Sequence, residues 1–471
     1  MTPTDDQKKQ PLASTPEQPG TCPFKHLAQA PIPSGDPVLL DRTNPEFLAT
    51  AYDTYARLRE QAPVVCTPFA KGIMDAVSAN SRKGAPANVP LSEERLFVTR
   101  YNEAVASLLD ARLSSDFRTG MTPQQREGLA HMPEESKPIA YSIIMRDPPD
   151  HTRLRKLVQP SFTARAMEAL RPRVQLITDA LLDRAEREAA ERGQAGPDRQ
   201  MDLLKAFAYP LPIAVICDLL GIPEEDRERT IHQAELLMNT NRFDASLAAT
   251  RREQAREFNQ YVEELFERKR REPAEDMISQ MVHPQEDGDQ LSHQEMISMV
   301  HAIFFAGHMT TVHLIGNGIV ALLTHPDQHA RMLADPSLAR GMVEETLRYW
   351  GPIDFIATPR VVTADLELGG IHIPEGAKVS IGLGSANRDP SLFPNPDVYD
   401  ITRPEAHRHL AFGKGIHVCL GAPLARLEGQ IAFETLFRRY PKLRLAVPAE
   451  SLKWSGGGVG LRGFERLPVL F

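Results

Sequence analysis

Phe412-Gly413-Lys414-Gly415-Ile416-His417-Val418-Cys419-Leu420-Gly421-Ala422-Pro423 is the stretch whose reading decides the fold. Gly415 and Gly413 stand four and six residues before the cysteine. A backbone without Cβ atoms can turn tightly there and approach a flat partner. Pro423 suits the first turn of a helix that starts directly after the cysteine and covers about residues 422–439. A cysteine at a helix N-terminus meets free N–H groups and the positive end of the helix dipole, and both favour thiolate. A thiolate is what an iron ligand requires, and haem is among the cofactors that use one. Two blander readings compete. One is a buried structural cysteine in a glycine turn, the usual fate of a free cysteine. The other is a dinucleotide-binding loop, which fails because Val418 stands where the third glycine should be and no clear strand precedes it.

Working outward, five further segments carry possible chemistry. Asp147-Pro-Pro-Asp-His151-Thr-Arg-Leu-Arg155 puts His151 and Arg155 on one helix face. Ala306-Gly307-His308-Met309-Thr310-Thr311 sits within a long apolar helix. Glu345-Thr-Leu-Arg348 places opposite charges three residues apart on a helix. Asn387-Arg-Asp-Pro390 and Tyr399-Asp-Ile-Thr-Arg403-Pro follow before the cysteine loop. Singly, each has an ordinary explanation: a solvated helix face, core packing, or a surface ion pair worth little.

In this order, the segments resemble the cytochrome P-450 superfamily in its soluble bacterial form, over roughly residues 36–471. The resemblance implies a mainly α fold with small β-sheets in a single large domain, holding haem b (iron protoporphyrin IX). It implies that Cys419 is the axial ligand of the haem iron, framed by Phe412, Gly413 and Gly421. His151, Arg155, Arg360 and His417 would reach the haem propionates, since two carboxylates held beside protein need cationic donors. Glu345, Arg348 and Arg403 would form the family's Glu-Arg-Arg network. Ala306, Gly307 and Thr310 match the oxygen-activation segment, in which small residues admit oxygen and water and the Thr310 hydroxyl can hydrogen-bond them.

The implied activity is a monooxygenase that inserts one atom of dioxygen into a C–H or C=C bond. The implied substrate is a hydrophobic secondary metabolite such as a polyketide, terpenoid or peptide. Electrons would come from NAD(P)H through a ferredoxin reductase and a ferredoxin, the latter docking on Arg153, Lys156, Lys414 and Arg426. Substrate walls carried over from the family are residues 113–142, Ala302, Phe305, Ile353, Ile356 and Val459.

Met309 departs from the family pattern, standing where an acid is usual. A thioether cannot relay protons, so they would come from waters, His308 or a substrate hydroxyl. This opens a variant reading, an atypical haem-thiolate oxidase performing oxidative coupling or using substrate-assisted proton delivery. A different class is a non-haem metal protein, because His407, His409, His417 and Cys419 are close in sequence. A haem sensor without turnover is a third possibility.

The bulk properties agree with a large folded enzyme. The chain has 471 residues, 42% hydrophobic, with a net charge of −8. That balance argues against wholesale nucleic-acid binding. No contiguous apolar run approaches a membrane span: residues 211–217 are broken by Pro212, and 300–307 by His301. The N-terminus lacks the apolar stretch of a secretory signal. The expectation is a cytoplasmic monomer without membrane attachment. None of Cys22, Cys66, Cys217 and Cys419 forms a CxxC, and a reducing cytosol argues against disulfides. Cys217 reads as core.

Residues 1–35 are polar and aperiodic and read as a disordered tail before the catalytic domain at 36–471. Strand patterns at 64–65 and 96–99 flank a small-residue insertion at 69–91, a candidate surface loop for a substrate entrance or a carrier protein. Helical patterns cover 101–111, a short stretch at 123–129, and most of 152–348, where Leu176, Ile177, Leu181 and Leu182 recur at helical spacing. Ser292 and Glu295 form a capping box opening a helix through Ile319. Beyond Pro352 come short strand patterns, an irregular stretch at 387–414, the last helix, and a strand-like ending at 443–471.

Overall fold

The structure is a computed structural model that describes residues 38–41, 44–70, 92–230, 232–233, 248–283, 288–356, 358–455 and 461–471. The expected tail and most of the expected insertion lie outside these residues, as does Val459.

The capping box is present as read: Ser292 and Glu295 each bond the other's backbone N–H, and the helix they open runs His293–Leu323. The helix is buried almost all round, so its sequence is apolar all round rather than striped. It is long and apolar enough to cross a membrane by length and composition, and 72% of its most apolar window is buried inside the protein. Counting contiguous apolar residues missed this average, because His301, His308 and His313 interrupt the run while lying buried. Glycines let its neighbours approach. A Cβ on Gly307 would meet Ile216 Cδ1 at 2.8 Å, one on Gly316 would meet Leu204 Cδ2 at 2.8 Å, and one on Gly318 would meet Phe433 Cζ at 2.5 Å. The helices Pro210–Leu220, Ala339–Trp350 and Ala422–Arg439 surround it and share its main apolar core.

Sheets form the edge of this helical body. In chain order the strands are β1 Val64–Ala70, β2 Ser92–Val98, β3 Leu113–Ser114, β4 Gln200–Asp202, β5 Arg360–Val362, β6 Leu366–Leu368, β7 Ile371–Ile373, β8 Lys378–Ile381, β9 Arg444–Leu445, β10 Trp454–Ser455, β11 Gly463–Phe464 and β12 Pro468–Leu470. The largest sheet has the order β1-β2-β8-β5-β3, with β2 and β8 parallel and the other pairs antiparallel. It has its own apolar core, including Val98, Val379 and Ile381. A third cluster joins helix α1, Pro45–Gln61, to β1 through Tyr55, Phe69, Phe97 and Phe355.

The expected fold class, mainly helical with small sheets in one large domain, is what the chain adopts. Three local expectations are corrected. Phe69 and Ala70, placed in the insertion, belong to β1, with Phe69 buried and Ala70 paired with Ser92. Leu176 is 57% exposed, because it lies off the stripe formed by Ile177, Leu181 and Leu182. Cys66 on β1 is disulfide-bonded, against the expectation of none. Cys217 is core, and burial pushes its thiol up to about 12.

Candidate active site

The cysteine loop is held by its own backbone. Cys419 N–H donates to Phe412 O at 2.9 Å, and Val418 N–H to Gly415 O at 3.1 Å. Gly413 and Gly415 adopt φ of 68° and 76°, a region that L side chains rarely enter. A Cβ on Gly415 would also strike Leu108 O at 2.6 Å. Gly421 caps the helix Ala422–Arg439, whose extent matches the sequence reading, with Pro423 in its first turn. Cys419 is exposed, yet enough protein surrounds it that desolvation raises its thiol. The N–H groups of Gly421 and Ala422 and the charges of Arg155 and Arg426 pull it back down. These are the thiolate-favouring groups that a helix start supplies.

Beside the loop, four nitrogenous side chains converge. The His151 and His417 rings lie 4.1 Å apart. Burial lowers the His417 imidazole to about 3, with Arg360, His151 and Arg155 adding repulsion. Burial also lowers His151, with Arg155 repelling it and Asp147 opposing. Desolvation lowers Arg360, against the attraction of Asp147. His151 Nδ1 is buried without a hydrogen-bond partner. The Arg360 guanidinium has neither a hydrogen bond nor an ion pair among the described residues. Two guanidinium cations and two imidazoles that can donate N–H bonds, with His151 Nδ1 and Arg360 unpartnered, fit the dianionic edge of a haem. Arg155 is already partly used, since its Nη1 donates to Ile416 O at 3.0 Å and Val418 O at 2.8 Å. Its guanidinium therefore also pins the cysteine loop.

Behind the loop, Glu345 and Arg348 form a bidentate pair with both side chains fully buried. Arg403 Nε approaches Glu345 Oε1 at 3.3 Å, and the Asp400 N–H donates to the same oxygen at 2.9 Å. Arg348 also donates to the carbonyls of Asn387, Pro396 and Val398, and Arg403 to those of Pro394, Asn395 and Val398. The surface ion pair considered for Glu345 and Arg348 is thereby excluded. The irregular stretch before the cysteine is satisfied by guanidinium donors in place of a sheet or helix.

On the long helix, Ala306 is exposed, and Ala302, Phe305 and Thr310 are half-exposed along one face. Thr310 Oγ1 donates to Ala306 O at 2.7 Å, which leaves the hydroxyl oxygen free to accept. Met309 is buried in the main core, so it packs as an apolar side chain. His308 is turned away from the Ala306–Thr310 face. Its Nε2 faces Tyr209 O at 3.3 Å, its ring stands edge-on to Tyr209, and burial lowers it to about 4. It is no candidate for the relay considered above. Gly307 lets the helix Pro210–Leu220 approach, so its smallness is used in packing.

The alternative metal cluster is overturned. No group of three or more metal-ligating side chains occurs among the described residues. His407 faces Pro404 O, His409 faces Glu344, and His417 Nε2 lies 2.8 Å from Ser115 Oγ.

Sequence reasoning missed several partners. Ser115 holds His417, and Asp147 accepts from the Ser114 hydroxyl and the Ser115 N–H. Glu344 accepts from Arg426 at 2.6 Å and lies 3.2 Å from His409, while Arg426 stacks over Phe412. Of the four cations expected to form a docking face, Arg426 is thus paired. Arg153 is paired with Asp289 and Glu295 at the start of the long helix. Lys156 and Lys414 are exposed without an ion-pair partner among the described residues.

A buried Glu-Arg-Arg brace under a glycine-cysteine loop, with a cluster of two arginines and two histidines beside it, defines a haem-thiolate protein. The chain belongs to the cytochrome P450 family, whose model matches residues 116–446. It is 40% identical over 434 residues to the 6-deoxyerythronolide B hydroxylase of Saccharopolyspora erythraea, covering 91% of this chain and 98% of that one. It is 40% identical over 439 residues to the cytochrome P450 monooxygenase PikC of Streptomyces venezuelae, covering 92% and 94%. Among solved structures, the cytochrome P450 PksS of the Bacillus subtilis bacillaene polyketide synthase superposes with a TM-score of 0.77 at 34% identity, covering 91% of this chain and 98% of that one. The protein is a haem-thiolate monooxygenase with haem b as cofactor, and it works with electron-transfer partners on a hydrophobic substrate.

Proposed function

We propose that this enzyme hydroxylates a bulky, largely apolar polyketide-type molecule, with Cys419 as the iron ligand. The observation that carries the reading is the exposed thiol at a helix start beside His151, His417, Arg360 and Arg155. Haem b, when bound, supplies dioxygen activation and oxygen-atom transfer. Gly421 and Ala422 N–H groups face the thiol, and His151 and Arg360 would hold the propionates, with Arg155 and His417 completing the cluster. Phe412 and Gly413 frame the loop. Ala302, Phe305, Ala306, Ile353 and Ile356 offer apolar surface that excludes water and orients the substrate. Thr310, whose hydroxyl donates to Ala306 O, can accept a hydrogen bond from a water or a substrate hydroxyl and so position it. With Met309 packed in the core and His308 turned away, that water or hydroxyl carries the proton. The names of the hydroxylase and polyketide relatives support the substrate class.

A ferredoxin fits the cysteine face, where exposed Lys414 and Lys156 accompany the exposed apolar side chains Ile416 and Val418. The test is a titration of purified ferric enzyme with polyketides, terpenoids, peptides, fatty acids and steroids. A saturable spin shift with polyketides supports the proposal. A shift with another class alone replaces it. No shift from any free compound would redirect the search to a carrier-protein-bound substrate.

A further inference from the structure

Asn317 lies seven residues beyond Thr310 on the long helix, about two turns away and on the same face. It is completely buried. Its Nδ2 donates to Trp350 O at 2.9 Å and to Arg462 O at 3.1 Å. The reverse orientation would aim an acceptor at two carbonyl oxygens, so the amide's direction is set by its partners. Trp350 ends the helix that carries Glu345 and Arg348, and the chain passes from it into Ile353 and Ile356. Arg462 immediately precedes β11 and donates its own N–H to Pro352 O at 2.8 Å. One side-chain amide therefore ties the long helix to two separate segments.

Those segments are braced together on their far side. Arg462 Nη1 lies 3.7 Å from Asp354 Oδ2, both side chains being buried. Tyr52 and Tyr55 hydroxyls donate to Asp354 at 3.4 and 3.3 Å. The Arg462 guanidinium is sandwiched by Trp454 and Tyr52, 4.0 and 4.4 Å from their ring centres. Asp354 O in turn accepts from Gly384 N–H at 2.7 Å. The 352–356 segment is thus a rigid unit, and Asn317 fixes its distance from the helix.

We infer that Asn317 is a positioning residue for substrate selection, setting the separation between the Ala306–Thr310 face and the Ile353–Ile356 wall. The inference rests on the proposed reading of Ile353 and Ile356 as substrate wall. Loss of the amide leaves Trp350 O and Arg462 O unpaired in a buried place, and the chain must shift to satisfy them. The separation of that face from that wall changes, while the cysteine loop, held by its own backbone hydrogen bonds and by Arg155, does not.

The test uses haem-loaded enzyme and nitrogen ligands of graded size: imidazole, 4-phenylimidazole and a triaryl azole. These bind haem iron through nitrogen, whatever the natural substrate. The variants are Asn317→Ala, the milder Asn317→Ser, Ile353→Ala, and Thr346→Val as a buried control that breaks the Thr346–Tyr399 hydroxyl contact on the helix Ala339–Trp350 and leaves the Asn317 amide in place. Asn317→Ala and Asn317→Ser should bind imidazole nearly as the parent does, yet change triaryl azole affinity by about tenfold or more. Thr346→Val should change both ligands equally or neither. Equal effects on all ligands in the Asn317 variants, or a match to the control, would overturn the inference. So would failure of both Asn317 variants to take up haem, which would make the residue a fold determinant. An unchanged triaryl azole affinity in Ile353→Ala would instead overturn the wall reading.

Discussion

Arg348 donates to both carboxylate oxygens of Glu345 at 2.7 Å, and neither side chain has any solvent exposure. Removing one member would leave the other as an uncompensated buried charge, at a cost of about 3–5 kcal/mol. Glu345→Ala and Arg348→Ala should therefore fail to accumulate haem-loaded protein. Arg403→Ala should be milder, because Arg403 makes the longer contact of 3.3 Å. Haem content per chain, from absorbance of the purified protein, checks this ranking. Equal haem content in all three variants would contradict it.

The propionate cluster makes a separate prediction about haem retention. Arg360→Leu and His151→Phe should speed the transfer of haem to an apo-globin acceptor. The reduced, carbon-monoxide-bound spectrum should be unchanged for whatever haem remains, because neither side chain is proposed to touch the iron. A parental transfer rate in both variants would remove these residues from the cofactor site.

Met309 separates packing from proton relay. Its side chain is 8% exposed within the main core, so Met309→Leu conserves volume and should cost less than about 1.5 kcal/mol. Substrate turnover and its coupling to NAD(P)H consumption should stay within about twofold, roughly 0.4 kcal/mol in the barrier. Met309→Glu should lower the melting temperature, since it buries a carboxylate without a partner. A large loss of coupling in Met309→Leu would show that the sulfur takes part.

Buried groups away from the cysteine predict a stability maximum near neutral pH. Burial lowers His301 to about 3 and His308 and His313 to about 4. Below about pH 6.5, where unfolded histidine protonates, the unfolded chain binds more protons and stability falls. Glu428 has the opposite sign. Its carboxyl is buried and pushed up to about 8, so the folded chain keeps an extra proton from its unfolded range up to that point. That contribution falls as pH rises, and above about 6.5 these histidines no longer oppose it. The melting temperature of the holoenzyme should peak near about pH 6.5. In Glu428→Gln the decline toward pH 8 should shrink while the acid decline remains. An unaltered alkaline limb in that variant would sink this account.

Much of the site was legible because its signals are local. The Gly413–Cys419 turn, the helix Ala422–Arg439, and the pairing of Glu345 with Arg348 each need only a few adjacent residues and a known period. What could not be read are contacts between residues far apart in the chain. Ser115 and His417 are 302 residues apart, and Asn317 and Arg462 are 145 apart. A serine or an asparagine has no period that announces such a partner. The pairing of Arg153 and Arg426 was hidden for the same reason: a charge in a sequence shows its sign, and the fold decides which carboxylate it meets. Leu176 shows the converse, a leucine at helical spacing whose neighbours face the core while it faces solvent.

Everything above turns on Cys419 holding the iron. The most direct test is the absorbance spectrum of the reduced, carbon-monoxide-bound protein, for the parent and for Cys419→His. The parent should show the strongly red-shifted Soret band of a thiolate ligand, and Cys419→His should lose that shift while retaining haem. A parent spectrum without the shift, or a red-shifted band that survives in Cys419→His, would contradict the assignment.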